Sequence, residues 1–173
     1  RSLERIAASG PAGFYEGETA ALIEKEMKAG GGMITARDLA AYQAQKRTPV
    51  RGTYRGYEVI SMSPPSSGGP VLLLMLNILE GYDLRASGPG SAATLHRVAE
   101  AMRRGFADRA RYLGDPDFNP AMPVARLLAK DYAASLRKTI REDRASASSP
   151  ASFEWPAESK ETTHLSVVDE ARN

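Results

Sequence analysis

The chain has 173 residues, a length that fits one globular domain or part of a larger protein. With 42% hydrophobic and 25% charged residues it can bury a core, and its net charge of +2 is too balanced to indicate a nucleic-acid or membrane partner. It has no cysteine, which excludes disulfides, thiolate metal sites and a thiol nucleophile.

The first third of the chain predicts helices followed by a β-hairpin. Apolar spacing indicates helices over 2–8 and 17–29, and glycines 30–32 end the second one. Thr35 with Asp38 predicts a capped short helix that runs to Tyr42. After Pro49 the pattern becomes β-branched and aromatic, so residues 50–62 predict a hairpin that turns at Arg55-Gly56.

The middle of the chain predicts a buried helix and a long amphipathic one. Residues 71–79 are apolar on nearly every face but too few to span a membrane, which favours burial on all sides. Residues 91–113 form the longest predicted helix, and shorter helical patterns follow at 124–128 and 132–140. On the long helix one side carries charges of alternating sign, and we interpret that side as solvated: Arg97, Glu100, Arg104, Asp108 and Arg111.

The C-terminal part predicts a linker and then a strand. Residues 143–161 are rich in Ser, Ala and Pro, a composition that buries little and indicates flexibility. Residues 162–169 read as a strand close to the end of the sequence, so we interpret the chain as an internal piece of a longer precursor. The predicted fold class is α+β, mostly helical, divided into a helical region with the hairpin (1–142), a linker (143–161) and a first strand of a further unit (162–173).

Most polar candidates have a structural explanation. The two histidines, His96 and His164, belong to no group with metal-ligand spacing, so we expect neither a metal nor a cofactor. The Ser66–Gly69 loop opens a helix and could hold an anion, but a plain helix entry explains it better. Asp115 and Asp117 flank a proline in a predicted turn.

Arg109 is expected to have a structural role. Its position on the long helix places it beside Val98 and Met102, on the apolar side. A buried guanidinium needs a carboxylate partner, and we predict that Asp115 or Asp117 supplies it.

Thr162 on its own is an ordinary strand residue. A threonine hydroxyl becomes an effective nucleophile when the residue is the first of a chain, because its own α-amine then acts as the base. That arrangement requires cleavage just before Thr162 and an accessible segment upstream, which residues 143–161 would provide.

Motifs over nearly the whole chain resemble the γ-glutamyltranspeptidase family. The start of that family's small subunit is similar to Thr162-Thr163-His164-Leu165-Ser166-Val167-Val168-Asp169. Its large subunit is similar to five further stretches, which occur in order along the chain: 13–17, 32–35 with 38–42, 54–57, 64–69, and 107–118.

The resemblance implies an N-terminal-nucleophile hydrolase with an αββα sandwich, made as a precursor that cuts itself between Glu161 and Thr162. Thr162 would then attack the γ-glutamyl amide of glutathione or a similar donor, and an amino acid, a peptide or water would accept the glutamyl group. Thr163 and His164 match family positions and are assigned a supporting role. The chain would span the C-terminal part of the large subunit and the start of the small one.

The family's oxyanion-hole glycines, second threonine and donor-binding residues match nothing in this chain, so we expect the isolated 173 residues to be inactive. Two alternatives stay open: a related acylase or capsule-polymer transferase that uses the same nucleophile, or a non-catalytic scaffold. The resemblance implies partners in the remaining parts of both subunits and a periplasmic or extracellular location. Donor, acceptor and oligomeric state are left open by the sequence.

Overall fold

A computed structural model describes residues 1–148, which form two compact units, one of Arg1–Lys46 and one that begins at Arg47. The first unit is helical. Its helices are α1 (Ser2–Ser9), α2 (Ala12–Tyr15), α3 (Gly17–Gly30) and α4 (Ala36–Ala41). The second unit contains β1 (Val50–Tyr54), β2 (Tyr57–Ser61), α5 (Gly68–Leu79), α6 (Leu84–Ser87), α7 (Ala92–Tyr112), α8 (Val124–Leu128) and α9 (Lys130–Arg137).

The local signals predicted for the first unit are confirmed. Helix α3 ends at Gly30 and is capped by Gly31, whose φ of 73° lies in the left-handed region that glycine adopts without strain. The Thr35 side chain accepts the Asp38 backbone N–H, and the Asp38 carboxylate accepts the Thr35 backbone N–H at 2.8 Å. These reciprocal bonds are the predicted capping box at the start of α4.

The predicted hairpin is also present. Strands β1 and β2 pair antiparallel, with Val50 opposite Ser61 and Tyr54 opposite Tyr57. Arg55 and Gly56 both have positive φ, 51° and 88°, as a two-residue turn between twisted strands requires. The turn is fixed to the helices, because the Arg55 backbone N–H donates to Glu80 at 2.7 Å and Lys130 also pairs with Glu80.

Helix α5 is the centre of the second unit. It packs against α7, α8, α9 and β1, and Leu73, Leu74 and Ile78 are fully buried. The prediction of a helix covered on all sides is largely confirmed, although Leu72 stays 43% exposed. Among residues 1–148, no helix is both long enough and apolar enough to cross a membrane.

Helix α7 corrects the prediction for its charged side. Glu100 is only 1% exposed and Arg104 12%, so the middle of this side is covered and is not the solvated face expected from the sequence, while Arg111 near the end of the helix is exposed as predicted. Part of the apolar side is accessible, since Leu95 is 60% exposed, Met102 44% and Phe106 42%, whereas Val98 and Leu113 pack against the core. The charged side is covered because residues after α9 turn back and supply partners for it.

Candidate functional site

The predicted nucleophile and its neighbours, Glu161, Thr162, Thr163 and His164, lie outside the described residues, and so does the predicted C-terminal strand. The described chain ends at residue 148, within the predicted 143–161 linker. What the structure shows is therefore the part of the molecule that leads to the predicted cleavage site.

A buried carboxylate network holds the first part of that linker. The Glu100 side chain accepts the Ser146 backbone N–H at 2.9 Å and the Ser146 hydroxyl at 2.5 Å. Arg104 Nη1 donates to Glu100 at 2.6 Å, and Arg103 Nε donates to it at 3.2 Å. Burial alone would raise the pKa of Glu100, but the hydrogen bonds from Ser146 and Arg104 outweigh it and lower that pKa to about 2. The carboxylate is thus ionised at neutral pH.

The charges around Glu100 extend the same network. Arg104 also donates to the Thr139 hydroxyl at 2.9 Å, and Arg97 pairs with Glu142 at 3.1 Å. His96 Nε2 lies 2.7 Å from the Arg141 carbonyl oxygen, to which it donates. The structural role expected for His96 is therefore confirmed.

Arg109 is half-buried at the entrance to α5. Its Nε donates to the Ser67 hydroxyl at 3.0 Å, and its guanidinium lies 6.0 Å from the centre of the Phe106 ring. Ser67 is the residue before the first turn of α5, so this contact fixes the Ser66–Gly69 loop as a helix entry. The pairing of Arg109 with Asp115 or Asp117 stays a prediction.

The turn at Asp115 and Asp117 is confirmed, and Asp117 has a partner that the sequence did not indicate. The Asp115 carboxylate accepts the Asp117 backbone N–H at 3.0 Å, and the Asp115 carbonyl accepts the Asn119 N–H. Arg47 donates to both carboxylate oxygens of Asp117, with Nη1 at 3.0 Å. These hydrogen bonds lower the pKa of Asp117 and raise that of Arg47.

Within residues 1–148, no group of three or more His, Asp or Glu side chains could hold a metal ion. The sequence missed the contacts of Glu100 with Ser146 and of Asp117 with Arg47. The partners are 46 and 70 residues apart, and a single sequence carries no signal for such pairs.

Comparison with known proteins decides the family. The family model described as Gamma-glutamyltranspeptidase matches residues 1–173, the whole chain. The chain belongs to the γ-glutamyltranspeptidase family. This confirms the resemblance and the predicted fold class, α+β with an N-terminal-nucleophile hydrolase as the parent fold.

Individual members of the γ-glutamyltranspeptidase family agree with this assignment. The chain is 49% identical to the glutathione hydrolase proenzyme of Escherichia coli (strain K12), over 100% of this chain and 30% of the relative. It is 44% identical to the acylase ACY 1 proenzyme of Pseudomonas sp. (strain SE83), over 99% of this chain and again 30% of the relative. The chain thus spans about a third of the length of these curated relatives.

Solved structures give the same result. The Helicobacter pylori γ-glutamyltranspeptidase is similar with a TM-score of 0.77 and 45% sequence identity, over 95% of this chain and 46% of that one. This chain is therefore similar in fold to a solved γ-glutamyltranspeptidase.

Proposed function

We propose that the complete protein is a self-processing γ-glutamyltransferase or glutathione hydrolase that cuts itself between Glu161 and Thr162. The observation that carries the proposal is the family match over all of residues 1–173, because that span includes the Thr-Thr-His sequence at 162–164. The E. coli relative, 49% identical, is named a proenzyme, which is consistent with a chain made as a precursor.

The Thr162 hydroxyl is the nucleophile in the proposed self-cleavage. In self-cleavage the Thr162 hydroxyl oxygen bonds to the Glu161 carbonyl carbon, the peptide C–N bond breaks and the nitrogen takes the hydroxyl proton. Water then hydrolyses the resulting ester, which leaves a carboxylate on Glu161 and a free amine and hydroxyl on Thr162.

In turnover the same hydroxyl attacks the γ-glutamyl amide of a donor such as glutathione, and the Thr162 α-amine takes its proton. The amide C–N bond then breaks, the leaving amine receives that proton, and the γ-glutamyl group stays on Thr162 as an ester. An amino acid, a peptide or water then accepts the glutamyl group from the ester. Thr163 and His164 are assigned a supporting role beside the nucleophile. The remaining parts of the two subunits are the proposed partners, and a periplasmic or extracellular location stays a prediction of the family resemblance.

The test is mass spectrometry of the complete precursor. The wild-type protein should split at the Glu161–Thr162 bond, and Thr162→Ala should stay whole. Ser166→Ala is the matched control, because it removes a hydroxyl four residues away and should still split. An unsplit wild-type protein that hydrolyses a γ-glutamyl substrate contradicts the proposal, and an unsplit protein without activity favours a scaffold.

A second candidate keeps the nucleophile and changes the donor. The 44% identity to an acylase proenzyme supports it, because this similarity is nearly as high as that to the glutathione hydrolase proenzyme of E. coli. Hydrolysis rates on a chromogenic γ-glutamyl anilide and on a glutaryl amide separate the two. A faster rate on the γ-glutamyl compound supports the transferase, and a faster rate on the glutaryl compound supports the acylase.

A further inference from the structure

The hairpin of the second unit has two edges, and its register shows which backbone groups lie along them. The two residues that flank a two-residue turn form a hydrogen-bonded pair, and from there hydrogen-bonded and non-hydrogen-bonded pairs alternate. The non-hydrogen-bonded pairs are therefore Thr53 with Glu58 and Arg51 with Ile60. The backbone N–H and C=O groups of these four residues point away from the partner strand, toward the two edges of the hairpin.

The edge of β1 is closed by another element of the same unit. The outward carbonyl oxygen of Thr53 accepts a hydrogen bond from Lys130 Nζ at 2.9 Å. Lys130 is the first residue of α9 and also pairs with Glu80, which follows the last residue of α5. A lysine at a strand edge is one of the means by which natural proteins prevent further strands from pairing there.

The edge of β2 has no comparable protection. Among residues 1–148, no hydrogen bond reaches the outward N–H and C=O groups of Glu58 and Ile60. The strand contains no proline and one charged residue, and its apolar side chains are accessible, since Tyr57 is 77% exposed and Ile60 50%. An open edge of this composition is a template for another strand, so the complete protein needs to cover it.

Strands that could cover this edge belong to the part of the protein outside the described residues. The chain spans 30% of the E. coli relative and 46% of the solved H. pylori chain. The αββα parent fold contains two layers of β-sheet, whereas residues 1–148 contain one sheet of two strands. The remaining strands must come from elsewhere in the complete protein, and no second copy is needed to supply them.

We propose that the edge of β2 is an intramolecular docking site, at which an extended segment from outside residues 1–148 pairs with Glu58 and Ile60 and continues the sheet. The edge of β1 stays closed by Lys130. Because residues two apart on a strand are separated by about 7 Å, a short extended segment reaches all four outward groups. The side chain opposite Ile60 is expected to be apolar or β-branched, as cross-strand pairs favour. This docking requires no self-cleavage, so the inference does not rest on the proposed function.

Hydrogen exchange of the complete wild-type protein tests the pairing, with mass spectrometry and fragmentation that resolve single amides. We expect the Glu58 and Ile60 amide hydrogens to exchange at least about tenfold more slowly than those of Arg51 and Thr53, after correction for intrinsic rates. Arg51 and Thr53 are the matched control, because they lie in the same pairs of the same hairpin but on the other edge. Similar rates at the two edges overturn the inference.

Proline substitutions in the complete protein test whether a hydrogen bond, and not coverage alone, protects this edge. Proline at an outward position removes one N–H and leaves the bonds between β1 and β2 in place. Ile60→Pro should lower the urea midpoint more than Ile60→Ala does, whereas Thr53→Pro should differ little from Thr53→Ala. An equal difference between proline and alanine at the two positions overturns the inference. Should Ile60→Pro fail to fold, the exchange rates of the wild type decide.

Two further outcomes separate this inference from its alternatives. Slow exchange at Glu58 and Ile60 that disappears on dilution, with a sedimentation mass that falls in parallel, identifies a second copy as the occupant and overturns the intramolecular docking. The Thr162→Ala precursor should show the same slow exchange as the wild type, because the docking precedes cleavage. A precursor that keeps this exchange pattern but never splits contradicts the proposed function alone.

Discussion

Tyr132 donates its hydroxyl to the Asp108 carboxylate at 2.7 Å, which joins α9 to α7. Burial raises the pKa of Asp108, and the hydrogen bond from Tyr132 offsets this only in part. Burial, followed by the bond to Asp108, raises the pKa of Tyr132 to about 12. The Arg126 guanidinium lies 4.5 Å from the centre of the Tyr132 ring, so the same tyrosine also holds α8.

Replacing Tyr132 by Phe should destabilise the second unit. The ring and its contact with Arg126 remain, while the half-buried Asp108 loses a hydrogen-bond donor. Loss of such a donor typically lowers the free energy of unfolding by about 1–3 kcal/mol. Thermal unfolding of the complete precursor should show a lower midpoint. Tyr57→Phe is the control, because Tyr57 is 77% exposed and its change should leave the midpoint in place. Equal midpoints for Tyr132→Phe and the wild type would show that the bond contributes nothing.

Two adjacent glycines at the start of α5 should respond very differently to alanine. A Cβ at Gly69 would lie 2.1 Å from the Met62 carbonyl oxygen, so backbone would have to move, whereas at Gly68 the nearest atom is Ser66 Oγ at 3.5 Å. We expect Gly69→Ala to lower the free energy of unfolding by about 1–3 kcal/mol. Gly68→Ala should be neutral or stabilise by up to about 1 kcal/mol, since alanine favours helix. Urea unfolding of both variants is the measurement, and similar results for the two would contradict the close approach at Gly69.

Glu100 should make the free energy of unfolding depend on pH in the acidic range. Its pKa falls from an ordinary 4.5 to about 2 in the folded protein, so the unfolded chain binds its proton first as pH drops. The stabilisation, on the order of 3 kcal/mol, is present above about pH 4.5 and is lost as pH falls toward 2. The difference in unfolding free energy between wild type and Glu100→Gln should therefore shrink over this range. A difference that stays constant from pH 6 to pH 3 would refute the assignment.

The capping box in the first unit should control the opening of α4. Thr35→Ala removes the side-chain acceptor for the Asp38 backbone N–H, and loss of such a cap costs about 1 kcal/mol. We expect the amide hydrogens of α4 to exchange roughly fivefold faster. Thr35→Ser keeps the hydroxyl and should exchange nearly as the wild type does. Equal amide exchange rates in the Ala and Ser variants would show that the cap does not stabilise α4.

Local signals in this sequence were sufficient where the determinants are close together. Arg55-Gly56 between two β-branched runs predicted the hairpin, and Thr35 with Asp38 predicted the start of α4, because turns and caps depend on residues two or three positions apart. The boundaries of α8 were predicted correctly as 124–128 from its helical pattern.

The orientation of α7 could not be obtained in this way. Periodicity shows that a helix has a charged side and an apolar side, and the usual assumption is that the charged side meets water. Here the Glu100 charge is balanced by Arg103 and Arg104 and covered by Ser146, a residue that no periodicity connects to it. Motif resemblance, in contrast, identified the family from the sequence alone, since it draws on the whole length of the chain.

The exposed apolar side chains of α7 have a practical consequence for protein preparation. Residues 139–148 already cover much of its ionic side, and the large apolar side chains that it exposes are Leu95, Met102 and Phe106. Polar replacements at these three positions are the choice for keeping a recombinant segment dispersed at high concentration. Substituting Arg97 or Arg104 for that purpose would remove their ion pairs with Glu142 and Glu100, which would destabilise the fold and promote aggregation.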